Sequence, residues 1–114
     1  MTRKRVADNK TLSWHPHHTR LNFEFEIADG EMTEYMVQLE YNDGSYERPD
    51  WKQVARFDSS HGFFHMDLHH TDGTKEKIHS IFPQWYQNYE EYRYAKDYLV
   101  REKYEMLRRT GYVD

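Results

Sequence analysis

Between residues 20 and 41 apolar side chains fall on every second position, and that alternation limits the fold more than any other feature of the chain. Leu21, Phe23, Phe25 and Ile27 alternate with Asn22, Glu24 and Glu26. After Asp29-Gly30, Tyr35, Val37, Leu39 and Tyr41 alternate with Glu34, Met36, Gln38 and Glu40. Successive side chains of a strand point to opposite faces, so each run reads as a half-buried strand with one wet face. Asp43-Gly44 then predicts a two-residue hairpin turn, since Gly, Asn and Asp tolerate positive φ, and it sets Tyr41 across from Tyr46. Pro49 cannot donate to a ladder, so the return strand is interrupted there and resumes through Trp51, Gln53, Val54, Ala55, Arg56 and Phe57. Residues 63–70 form the next strand. Asp72-Gly73 turns it into a last one that runs from Thr74 to about Phe82. Connections this short make the sheet an antiparallel meander.

Pro83 ends the sheet. Asn88 with Glu91 is a capping-box pair for a helix starting near Tyr89, and Tyr92, Ala95, Leu99 and Met106 recur at helical spacing. Arg93, Asp97, Arg101, Glu105 and Arg109 follow one another at i,i+4 along the outer side, and Gly111 suits the position after the last turn. The expected fold is therefore α+β: a five-stranded antiparallel β-meander with one long C-terminal α-helix packed on a sheet face. Residues 20–114 form the single domain. Residues 1–19, with Arg3-Lys4-Arg5 and Trp14-His15-Pro16-His17-His18, lack periodicity and read as a flexible basic arm.

Composition narrows the function. Hydrophobic residues are only 37% of the chain and charged residues 32%, but 17% are aromatic, including ten Tyr. Aromatic side chains bury large areas while keeping a polar handle, so a small ordered core is expected rather than disorder. A formal net charge of −4 does not describe a general nucleic-acid-binding surface, although eight histidines, with a reference pKa of about 6.5 for the free side chain, leave room for a local basic site. The absence of cysteine excludes disulfide scaffolds and thiolate metal sites and fits a reducing compartment. No run is long enough for a membrane span and no apolar segment follows the basic start, so a cytoplasmic protein without a membrane partner is expected.

Chemistry concentrates in residues 57–77, which hold four of the eight histidines together with Asp58, Asp67, Asp72 and a basic pair, Lys75 and Lys77. Period-two register puts Phe64, Met66, Leu68 and His70 on the core face and His65, Asp67 and His69 on the other. The Asp72-Gly73 hairpin would set Glu76 opposite His69 and Ser80 opposite His65. Two His groups acting as general base and general acid, beside cations that stabilise developing negative charge, suffice for metal-independent RNA cleavage, because the substrate 2′-hydroxyl is the nucleophile. The candidates are His61, His65 and His69 for proton transfer, Asp58 and Asp67 for orienting them, and Arg56, Lys75 and Lys77 for phosphate. No cofactor is required. Metal ligation by His65, Asp67 and His69, or by His61 and His65, is the weaker chemistry, because a His-X-X-X-His pair on a strand lacks the geometry that makes it a zinc signal on a helix. The bland alternative is a polar sheet surface, with Gly62 and Asp58 serving a turn and Trp85, Tyr86, Tyr89 and Tyr92 docking the helix.

The run Val54-Ala55-Arg56-Phe57-Asp58-Ser59-Ser60-His61-Gly62-Phe63-Phe64-His65 resembles the TumE-like toxins of bacterial and archaeal toxin–antitoxin systems, in which a strand ending in an aromatic-Asp pair leads into a short His-containing segment. Its continuation through Asp67 and Asp72-Gly73-Thr74-Lys75-Glu76-Lys77 is similar to a related group of small uncharacterised prokaryotic proteins. The resemblance spans residues 51–77 and singles out Arg56, Asp58, His61 and His65. Met66 departs from it, standing where the related sequences often carry a basic residue. It implies a toxin-like protein, RNA as a substrate, and an antitoxin partner. The competing expectation is a non-catalytic protein-binding module, antitoxin-like or a phage-defence accessory, that docks a partner through exposed strands.

Overall fold

The structure, a computed structural model, describes residues 2–60, 63–79, 81–83 and 87–114. Six strands form a single sheet: β1 Arg3–Ser13, β2 Thr19–Ala28, β3 Glu31–Asn42, β4 Trp51–Asp58, β5 Met66–His69 and β6 Lys75–Ile78. They lie in sequence order and every neighbouring pair is antiparallel. Two helices follow, α1 Asn88–Arg101 and α2 Lys103–Thr110. The α+β meander is as expected. Its strand count and its helix are not.

The additional strand, β1, is the segment expected to be a basic arm. It pairs with β2 from Arg3↔Ala28 to Thr11↔Arg20. Hydrophobic patterning does not reveal it because most of its side chains are exposed. Ladder hydrogen bonds hold it instead, helped by Arg3 lying 3.6 Å from Glu26 and by Arg5 bridging Glu24 and Glu34.

Asp29 and Gly30, at φ 51° and 83°, make the two-residue β2–β3 turn that this dipeptide favours. The β3–β4 connection departs from the Asp43-Gly44 hairpin. Asn42 pairs with Trp51 and Tyr41 with Lys52, so residues 43–50 form a loop and Tyr41 does not face Tyr46. The side chain of Asn42 organises this loop: its Oδ1 accepts from the Gly44 and Asp50 amides at 2.9 Å each, and its Nδ2 donates to the Ser45 carbonyl at 3.0 Å. These bonds outcompete a tight turn. A Cβ on Gly44 would clash with the Arg48 carbonyl oxygen, so the loop closes only around glycine there.

One sheet face carries the helices. Leu21, Tyr35, Val37, Leu39, Phe57, Met66 and Leu68 pack there against Tyr92, Ala95, Leu99, Met106 and Leu107, all buried. Phe57 stacks on Phe64 at 5.1 Å, and the Phe82 ring stands edge-on to both. Each such side chain contributes roughly 1.5–3 kcal/mol on full burial. The expected single helix is broken at Glu102 (φ −102°, ψ 15°), and the bend carries Met106 and Leu107 together into the core.

The expected capping box does not form, because α1 starts after Gln87 without a side-chain cap. Asn88 instead donates to the Met32 and Thr33 carbonyls, and Glu91 accepts from the Tyr35 hydroxyl at 2.9 Å, so both side chains fasten α1 to β3. Gly111 ends α2 at φ 97° as expected, and the neighbouring Thr110 carbonyl receives the Thr71 amide at 2.9 Å. That bond fixes the end of α2 to the β5–β6 turn.

Candidate functional site

The opposite sheet face carries neither helix among the described residues. Strand register arranges it in rows. One row crosses all six strands: Asn9, Asn22, Gln38, Arg56, Asp67 and Lys77 are successive cross-strand partners. Directly opposed side chains lie roughly 5 Å apart at Cβ, so this row is a continuous polar stripe. On one side of it lie Met36 and Asp58, with His65 just before β5. On the other lie Arg20, Glu40 and Gln53, then His69 paired with Lys75. Period two therefore brings Arg56, Asp58, His65, Asp67, His69, Lys75 and Lys77 onto one face. His61 lies outside the described residues, as do Gly62, Ser80, Trp85 and Tyr86.

The hairpin register differs by one residue from the sequence expectation. Lys75, rather than Glu76, stands opposite His69, and Glu76 pairs with Leu68. Glu76 serves structure: its carboxylate meets His70 Nε2 at 3.1 Å and Arg109 at 2.7 Å, tying α2 to the hairpin. The half-exposed His70 thus belongs to this tether rather than to the packed core.

Within the site the groups differ sharply in access. His65 is 1% exposed; its Nδ1 lies 3.0 Å from the Phe63 carbonyl and its Nε2 3.6 Å from Asp67 Oδ2. That geometry suits an orienting residue more than one that touches a ligand. Asp67 is buried as well, between Arg56 and Lys77 in the row. Asp58 accepts from the Ser60 amide at 3.0 Å, from the Ser60 hydroxyl, and from Arg56 Nε at 3.0 Å. Burial pushes the Asp58 carboxyl up, yet the Ser60 and Arg56 hydrogen bonds outweigh it and hold the carboxyl below its usual range.

His69 is half-buried and remains reachable. Burial lowers its pKa first, Lys75 and Arg56 lower it further, and Asp67 only partly opposes them. Its neutral form is therefore more favoured than that of a free imidazole. Lys75 and Lys77 are exposed, and the Lys77 ammonium lies 5.7 Å over the Phe63 ring. A cavity of about 150 Å³ opens at the Asp58 end, where Arg56, Asp58, Ser59 and Ser60 meet Arg5 and Glu34. A larger cleft, about 720 Å³, lies between the β2–β3 turn and the start of α1 and includes none of the expected site residues.

Sequence reasoning passed over Gln38 and Glu40, which alternation assigns to a wet face. Both are buried: Gln38 Nε2 donates to Glu40 at 2.6 Å and Arg20 Nε to the other Glu40 oxygen at 2.7 Å. Their only sequence signal is the charge complement of Arg20 one strand earlier. Among the described residues no three His, Asp or Glu side chains converge as a metal ion would require, and the set His65, Asp67 and His69 is not such a cluster.

A family model described as a domain of unknown function, DUF7718, matches residues 2–110. No curated protein and no solved structure matches the chain. The match covers nearly the whole sequence, β1 included, and the chain belongs to the DUF7718 family.

Proposed function

We propose that this member of the DUF7718 family is a small, metal-independent ribonuclease of toxin type, acting through the helix-free sheet face. The observation that carries the reading is the setting of His69: a reachable imidazole on the same face as Arg56, Lys75 and Lys77, whose neutral form burial and Lys75 favour. A neutral imidazole accepts the proton of the 2′-hydroxyl, whose oxygen attacks phosphorus as the 5′-oxygen leaves. Lys75 and Lys77 stabilise the charge that develops on the phosphoryl oxygens, and water protonates the leaving oxygen. His65 Nε2 lies 3.6 Å from Asp67, and Asp67 in turn lies beside Arg56 and Lys77 in the row. The roles are thus narrower than the sequence suggested, with His69 at the substrate and His65 behind it. An antitoxin would neutralise such a protein by covering this face.

The test is incubation of RNA with the purified protein in EDTA. Cleavage by the wild type that His69→Ala abolishes supports the reading; equal, intact RNA in both tubes removes it. Expression in a bacterial host should arrest growth in the wild type and not in His69→Ala.

A partner-binding reading has one observation in its favour. β1 is an edge strand whose outer side is unpaired among the described residues, and most of its side chains are exposed. Edges of this kind accept an added strand. A stable stoichiometric partner lost on Val6→Pro, and kept on His69→Ala, would favour it.

A further inference from the structure

Two loops meet at one end of the helix-free face and build a stack of planar side chains for which no role has been described above. The turn between β1 and β2 supplies Trp14, His15 and His18, and the loop at residues 43–50 supplies Tyr46. Trp14 lies on His18 at 4.3 Å and 21°, and Tyr46 lies against Trp14 at 5.6 Å and His18 at 5.3 Å, both at 30°. His18 meets Trp51 edge-on at 4.7 Å, and the Arg20 guanidinium sits 3.9 Å over the Trp51 ring. Hydrogen bonds lock the assembly: Tyr46 Oη donates to the Trp14 carbonyl at 2.7 Å, and Asn42 Nδ2 donates to His18 Nδ1 at 3.2 Å.

The stack pins two loops together without burying its outermost rings. Here Trp14 and Tyr46 remain 55% and 51% exposed. Their backs are fixed by neighbouring rings and their fronts are open to solvent. A rigid, half-open indole is a ready surface for another flat ring, because stacking on it orders little that is not already ordered. The stack is also continuous with the proposed catalytic face. Arg20 joins Trp51 to Glu40, and Glu40 joins Gln38, the cross-strand partner of Arg56. Along β4 the distance from Trp51 to the level of His69 is about 10 Å from the strand rise, and Trp14 stands two ring contacts beyond Trp51, at 4.7 and 4.3 Å, a total that a short single strand bridges.

We propose that Trp14, backed by His18 and Tyr46, is a base-stacking platform for single-stranded RNA whose phosphates lie on the adjoining face. The inference rests on the ribonuclease reading for its ligand. Stacking selects no particular base, since every base offers a π-face, so the platform adds affinity and register without sequence preference.

The test uses a short 2′-O-methyl RNA oligonucleotide, which cannot be cleaved by 2′-hydroxyl attack, and an abasic oligonucleotide with the same number of phosphates. Binding is followed by fluorescence anisotropy of a dye on the oligonucleotide. Trp14→Ala should weaken the 2′-O-methyl RNA about tenfold, and Trp14→Phe should restore most of the loss. The abasic strand should bind wild type and Trp14→Ala equally, which also shows that the variant is folded. Equal binding of the 2′-O-methyl RNA by wild type and Trp14→Ala overturns the platform, as does its failure to bind the wild type at all. The EDTA cleavage assay with His69→Ala judges the ribonuclease reading separately, so the two failures are distinguishable. Loss of a protein partner in Trp14→Ala, with RNA affinity unchanged, would also overturn the proposal.

Discussion

One carboxylate and one imidazole show how strongly local partners decide a residue's chemistry in this protein. The Asp58 carboxyl is held below its usual range in the fold, so its ionised form stabilises the native state above the unfolded pKa of about 4, and that contribution is lost as pH falls through the lower folded value. Asp58→Asn should therefore flatten the stability profile below about pH 4, as read by urea unfolding at several pH values. His69 is shifted in the same direction with the opposite consequence. Its folded pKa lies below the ordinary value of about 6.5, so protonation opposes the native state and the free base persists into mild acid. The acid limb of the cleavage profile should accordingly fall below about pH 6.5, and Lys75→Ala should move it upward, because Lys75 is one of the groups that lower the pKa. Asn42→Ala removes the acceptor of two loop amides and should cost about 1–3 kcal/mol in denaturant unfolding. None of these environments is visible in the residues alone. Period two gave the shared face of His65, Asp67 and His69, but not that His65 is buried to 1% exposure while His69 stays reachable.

Among the elements, β1 separates the sequence reading from the structure most clearly. Deleting residues 2–13 removes one flank of β2 and leaves that strand as the new sheet edge. The midpoint of thermal unfolding should fall by several degrees and aggregation should rise; a mobile arm would leave both unchanged. β2 and β3 were legible because burial on the helix side imposes alternation, whereas β4, whose Val54 and Ala55 are both buried at a register shift, follows only from the apolar residues after Pro49. β1 was not, since it is held by ladder bonds and ion pairs that impose no hydrophobic period. The residues 43–50 loop was misread for a related reason: Asp43-Gly44 favours a tight turn, but the Asn42 side chain ties the chain into a wider one. The apolar stripe of α1 and α2 predicted the core residues correctly and could not predict the bend at Glu102, which changes the direction of the stripe without ending it.

At the scale of the molecule, charge is divided unevenly. The chain carries a formal −4, yet the β4–β6 end of the helix-free face gathers Arg56, Lys75 and Lys77 against Asp58 and Asp67. Only a few phosphates can be neutralised there. RNA affinity should thus depend weakly on salt, with a log–log slope near −2 at about −0.7 per phosphate contact, and Lys77→Ala should make it shallower. A slope several times steeper would point to a binding surface elsewhere.

The order of elements along the chain has a consequence for synthesis. The six strands precede both helices, and the helices supply Tyr92, Ala95, Leu99, Met106 and Leu107 to the far side of the core. During translation the meander emerges first, each strand next to its forerunner, with its greasy side uncovered until α1 and α2 leave the ribosome. Nascent chains stalled before residue 88 should consequently attract chaperones and precipitate, whereas those released at full length should not. The C-terminal helices act, in that sense, as the lid that makes the newborn sheet safe to release.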